Sequence, residues 1–267
     1  MEELLFIALC ALLGLGSGFL GGLLGIGGGV VIVPALSIYF DATDRFSHES
    51  SLLIAVATSL SCIVFTSASA AFTQYRANKV LWPIASKLVA FLLLGSFVSG
   101  YLAPLLPAEL FRLFIGVFLA LVATVMLFVW QPAPHRQLPG VVGCGGIGIG
   151  GGLLAGMAGI AGGNVIVPTL IYFNVPVHNA TATSSALGVP IALMGAFGYF
   201  LLSPPLADPR LLGYIDVTAF VPIVIGAIVA APLGVKTAHQ VAAAKLKRMF
   251  AVLLVFVSLR MIFTALI

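Results

Sequence analysis

The chain has 267 residues, of which 61% are hydrophobic and only 7% charged. Soluble domains carry about a quarter charged residues, so a soluble globular fold is excluded, and apolar stretches long enough to span a bilayer recur from end to end. The net charge of +4 therefore does not point to nucleic acid or another acidic partner; it matters through where the charges sit.

The start, Met1-Glu2-Glu3, lacks a basic region and no polar cleavage region follows, so the first hydrophobic segment is expected to remain in the mature protein. Apolar runs cover 4–40, 51–73, 82–104, 110–130, 141–173, 180–202, 214–235 and 246–267. Charged or turn-rich breaks separate them, and the Pro-rich stretch at 131–140 divides the chain into a first transmembrane repeat, 1–130, and a second, 141–267. Residues 22–34, GLLGIGGGVVIVP, return as 156–168, GMAGIAGGNVIVP, with nine of thirteen positions identical. Two further pairs follow in the same order. Ala55-Val56-Ala57-Thr58-Ser59 matches Ala180-Thr181-Ala182-Thr183-Ser184, and Leu110-Phe111-Arg112-Leu113-Phe114 matches Leu246-Lys247-Arg248-Met249-Phe250. An ordered set of this kind marks an internal duplication, a common plan among transporters.

The runs 4–40 and 141–173 exceed the roughly 20 residues that one crossing needs. Each has a glycine cluster near its middle, where a helix breaks most readily, so each is expected to be two segments. The charges favour this count. With ten segments, Arg76, Lys79, Arg136, Lys236, Lys245, Lys247 and Arg248 fall together, leaving Arg45, Arg112 and Arg210 opposite; with eight, the bias is weak. Five segments per half makes the repeats inverted and puts both termini outside the cytoplasm. The second pieces are short, however, and re-entrant hairpins there would leave eight spans and parallel repeats. The fold expected is an all-α integral membrane protein of two homologous halves, inverted repeats with glycine-broken helices.

A broken helix in lipid survives only where protein or a wet cavity satisfies its polar groups. The second half-helix begins with free amides and a partial positive charge, which suit an anion. Gly25, Gly27, Gly28 and Gly29 would let a ligand approach the backbone, and Gly159, Gly162 and Gly163 repeat the arrangement, with Asn164 adding an amide side chain. The upstream Gly14, Gly18 and Gly22, like Gly152 and Gly156, have the small-xxx-small spacing of close helix packing instead. A nucleotide-binding loop is a remote third reading, because no strand–loop–helix context surrounds the motif and no Gly-Lys-Ser/Thr follows it. Thr58, Ser59 and Ser61, with Thr183, Ser184 and Ser185, place hydroxyls in matched apolar spans. They are candidates for substrate contact or for interhelical hydrogen bonds.

No carboxylate falls deep in an expected span, which disfavours a proton relay built on one. Arg260 is the one charge well inside a span and is a substrate or pathway candidate, although it is close enough to the end to snorkel. Gln74 and Tyr75 end a span and would line a vestibule. Arg112 and Arg248 begin spans and read as headgroup anchors, Lys87 as interfacial, and Trp82 and Trp130 as interfacial aromatics. His48 and His178 make no metal site. Cys10, Cys62 and Cys144 have unrelated spacings that give neither a disulfide framework nor a zinc site. No metal or cofactor is expected, and no nucleophile–base pair for an enzyme stands in mid-membrane.

The doubled Gly-rich segment ending in Val-Ile-Val-Pro, followed by Ala-x-Ala-Thr-Ser and Leu-x-Arg-x-Phe, resembles the sulfite exporter TauE/SafE family across nearly the whole chain. The resemblance implies a multi-pass transporter of small sulfur-containing anions or organic acids, such as sulfite or sulfonates, in the bacterial inner membrane. The second half departs at Ala161 and Asn164, where the first has Gly27 and Val30, so the two helix ends need not be equivalent. The partners expected are a small anion and the bilayer, with no nucleic acid; the sequence carries no signal for an oligomeric state. A carrier with a midplane site is the leading expectation, and an anion channel using the same site as a filter is the alternative.

Overall fold

The computed structural model describes residues 2–127, 138–203 and 208–266. Trp130, Arg136 and the linker residues 131–137 lie outside them. Ten α-helices follow one another among the described residues: α1 (Glu2–Leu24), α2 (Gly29–Ala42), α3 (His48–Arg76), α4 (Trp82–Leu102), α5 (Ala108–Leu127), α6 (Val141–Met157), α7 (Gly163–Tyr172), α8 (Val177–Leu201), α9 (Val217–Gln240) and α10 (Ala243–Leu266). Both long apolar runs are divided at their glycine clusters. The residues that precede α2 and α7, Gly28 at φ 86° and Gly162 at φ 75°, are left-handed, a conformation in which a Cβ would collide with the backbone.

The surface is apolar where a soluble protein would be charged. Val221, Ile225, Val229 and Leu233 form an exposed stripe along α9, and Val252, Phe256, Leu259 and Phe263 one along α10. Contiguous apolar surface of this extent requires a non-aqueous neighbour. Glu3–Leu24, His48–Arg76, Trp82–Leu105, Val177–Leu201 and Val217–Gln240 are each long and apolar enough to cross a membrane. The protein is a multi-pass membrane protein.

Packing interlocks the first five helices with the last five. α1 lies along α9, α6 along α4, α5 against α10 and α3 against α8. Small residues permit the closest of these approaches. Gly18 faces Ala227, where an added Cβ would stand 2.5 Å from the carbonyl oxygen, and Gly22 and Gly152 abut the Ala231 and Leu92 carbonyls. The upstream glycines thus sit at helix contacts, where removing side chains brings backbones together. Gly14 faces Ile223 and Gly22 faces Ala231, so α1 and α9 run parallel; Ser67 faces Gly188 and Leu60 faces Gly195, so α3 and α8 run antiparallel. α3 is central: 83% of the residues in its most apolar stretch are buried, against 33% for α1.

Between α8 and α9 the chain makes a two-residue hairpin. β1 (Leu211–Leu212) pairs antiparallel with β2 (Ile215–Asp216) around Gly213 at φ 62°. This places Asp216 at the start of α9, where its carboxylate accepts from the Thr218 and Ala219 amides at 2.9 and 3.3 Å.

Candidate functional site

The two glycine breaks touch at the centre of the molecule. A Cβ on Gly29 would collide with the Gly159 carbonyl, one on Gly163 would lie 2.5 Å from the Ile26 backbone, and one on Gly27 would lie 2.5 Å from the Ala161 side chain. Gly25, Gly27, Gly28, Gly29, Gly159, Gly162, Gly163 and Asn164 are all buried. Among the described residues, the amides of Gly27 and Gly28 find no hydrogen-bond acceptor, and neither do those of Ala161, Gly162, Gly163 and Asn164. Free donors at two helix starts, withdrawn from water, create a region of positive potential with unmet hydrogen-bonding capacity.

α3 and α8 cross this junction and tie it together reciprocally. The Ser59 hydroxyl donates to the Gly159 carbonyl at 2.9 Å, and the Ser184 hydroxyl donates to the Gly25 carbonyl at 3.1 Å. Each matched serine therefore holds the break of the opposite half. Their neighbours serve the next helix. Thr58 Oγ1 accepts from the Asp216 amide at 2.9 Å and Thr183 Oγ1 accepts from the Leu81 amide at 3.0 Å, so both threonines secure the residue immediately before α9 or α4. Ser61 and Ser185 donate to the carbonyls one turn back in their own helices.

Several buried polar atoms have no protein partner: Ser67 Oγ, both side-chain amide atoms of Asn164, and Gln74 Nε2. Such groups are costly unless water or a ligand meets them. Asn164 also lines a cavity of about 420 Å³ between α5, α6 and α7, whose other walls include Phe118, Leu121, Ile147 and Leu154. Ser67 went unread because its matched position in α8, Ala192, carries no hydroxyl.

The remaining candidates lie apart from one another. Gln74 is buried, with Oε1 2.8 Å from His239 Nε2, whereas Tyr75 is exposed and meets Trp82 edge to face. Arg260 is exposed on α10, on the face that carries Phe256 and Phe263. Arg112 is no headgroup anchor. It is buried, pairs with Asp41 at 2.7 Å and donates to Ser51 Oγ at 3.3 Å. Arg45 stacks over Phe6 with its guanidinium 4.4 Å from the ring centre, donates to Thr218 Oγ1 and stands 3.4 Å from the buried Asp216. Both pairs were hidden in sequence because their partners lie far apart along the chain. Among the described residues, no three His, Cys, Asp or Glu side chains gather as metal ligands would.

An apolar-surfaced helical bundle with two broken helices meeting at its core has the architecture of a membrane transporter. The comparison with known proteins identifies which kind: the chain belongs to the family described as Sulfite exporter TauE/SafE, whose model matches residues 10–261. A "Probable membrane transporter protein" of Haemophilus influenzae is 30% identical over 262 residues, covering 96% of this chain and 98% of that one. A protein of the same description from Methanocaldococcus jannaschii is 27% identical, covering 95% and 94%, and Bacillus subtilis YdhB is 25% identical, covering 87% and 89%. No solved structure matches. The chain is a membrane transporter and not an enzyme.

Proposed function

We propose that the protein is a secondary transporter of small anions, sulfite or related sulfonates and organic acids, working by alternating access around the junction of the two breaks. The observation that carries this reading is the meeting of two left-handed glycine turns whose following amides lack acceptors. The free amides within Gly25–Gly29 and Gly159–Asn164 supply donors, helped by the partial positive charge at the starts of α2 and α7. Ser59, Ser184, Thr58 and Thr183 hold the frame and can exchange their present partners for the anion as it enters. Residues 1–130 and 141–267 act as inverted repeats. The antiparallel run of α3 with α8 supports inversion, since matched helices related by an axis in the membrane plane point opposite ways. The cell membrane of a bacterium, with both termini on its non-cytoplasmic side, is the location consistent with the charge distribution.

The test is uptake of radiolabelled sulfite into proteoliposomes. The wild type should show saturable uptake and accelerated counterflow. Gly162→Ala meets only the movable ends of Ile191 and Ile166 but cannot easily hold its left-handed turn, and it should cut uptake severely in protein that still elutes as a single folded species. Unchanged uptake in folded Gly162→Ala would remove the glycine junction from the mechanism. Uptake that neither saturates nor exchanges would identify a channel using the same junction as its filter.

A further inference from the structure

We infer that Ser67 is a substrate-binding residue, and that it gives the junction one oxyanion subsite in place of two equivalent ones. The inference rests on the transport reading above and names the side chain that would meet the anion.

Most hydroxyls of α3 already have an acceptor. A serine or threonine in a helix usually donates to the carbonyl one turn back. Ser61 donates to Ala57, Thr66 to Cys62 and Thr73 to Ser69, while Ser59 donates across to Gly159. Ser67 is fully buried, yet its Oγ has no partner. The hydroxyl is turned away from its own helix and toward the breaks. A methyl group added at Gly27 would come within 2.9 Å of this oxygen, and one added at Gly188 within 2.8 Å. The side chain of Ala161, whose amide also lacks an acceptor, packs against the same two glycines.

Ser67 thus stands where the first break, the second break and α8 converge, at Gly27, Ala161 and Gly188, and the amides of Gly27 and Ala161 find no acceptor. Hydroxyl and amide donors with no carboxylate beside them fit one oxygen of a small oxyanion such as sulfite. The repeat makes the subsite single. By the spacing that matches Ser59 to Ser184, Ile63 matches Gly188 and Ser67 matches Ala192. The first half supplies the hydroxyl, and the second supplies, at Gly188, the room for it.

The decisive experiment compares Ser67→Ala with Thr66→Val, a neighbouring hydroxyl already satisfied within its own helix. Removing a hydrogen bond to a charged group should raise the KM for sulfite uptake about tenfold or more. Ser67→Ala should also abolish the thermal stabilisation that sulfite confers, while the melting temperature without sulfite stays at the wild-type value. Thr66→Val should leave KM unchanged. In the double variant Ser67→Ala/Ala192→Ser, affinity should remain low, because the second half has no matching subsite. A KM for Ser67→Ala within about twofold of the wild type, or rescue by Ala192→Ser, overturns the inference while leaving the glycine junction standing. A lowered melting temperature with normal sulfite affinity would make Ser67 a packing residue and overturn it equally. A wild type that takes up no oxyanion would instead remove the transport reading itself.

Discussion

Ser59 and Ser184 each hold a glycine carbonyl of the opposite half, so their removal should weaken the junction from both sides. A buried hydroxyl–carbonyl bond contributes about 1 kcal/mol net. Ser59→Ala and Ser184→Ala should each lower stability by about that amount, and the double variant should show coupling in a thermal-unfolding cycle, because the two bonds close one interface. In the loop before β1, Arg210 donates to Asp208 at 2.6 and 2.9 Å, and these bonds hold the carboxyl down to about 2 from the usual 3.8. The folded value lies below the unfolded one. The stabilisation is therefore complete above about pH 4 and is lost as pH falls through about 2. The difference in melting temperature between wild type and Asp208→Asn should accordingly stay constant from about pH 8 to 5 and shrink toward zero below about 4. At this scale the sequence was only partly legible. Matched residues stood out, as with Ser59 and Ser184, and the fold does bring them to one junction. Ser67 has no counterpart and Arg112 looked like a surface anchor, since the identity of a buried partner depends on which helices meet.

The helices themselves were more legible, because a run beyond thirty residues with glycines at its middle cannot be one ordinary span. Where each run breaks, and that ten helices result, follow from glycine spacing and span length. The hairpin at 211–216 was missed: two residues per strand leave no periodicity to read, and only the need to place Asp216 before α9 accounts for it. Glycines within α1 divide by what they face. Gly18 abuts the α9 backbone, whereas Gly16 has nothing within 4 Å of an added Cβ. Gly16→Ala should hold or raise the melting temperature, as alanine favours helix by up to about 1 kcal/mol. Gly18→Ala should lower it and leave α1 poorly packed, measurable as faster amide exchange along that helix. Equal effects at the two positions would mean that the α1–α9 approach is not what requires glycine.

Taken whole, the molecule is electrically polar from end to end. Asp41, Arg45, Arg112, Asp208, Arg210, Asp216, His48 and Glu109 gather at one end in three groups of ion pairs. At the other end α3 finishes with Arg76, Lys79 follows, and Lys236, Lys245 and Arg248 stand near the junction of α9 and α10, with no acidic residue beside them among the described residues. On the topology proposed above, which follows the positive-inside rule, the cationic end faces the cytoplasm. An impermeant thiol reagent should label Asn78→Cys only from inside and Asp44→Cys only from outside; the reverse pattern would invert the topology. The crossed pairing of helices has one last consequence, for synthesis. α1 leaves the ribosome long before its companion α9 exists, and α4 waits likewise for α6. α1 must therefore linger in the lipid with its glycine seam uncovered until the last third of the chain is inserted, and α4 until the second half begins. Neither repeat should accumulate when made alone, yet two fragments cut between residues 131 and 137 and produced together should find each other and restore uptake.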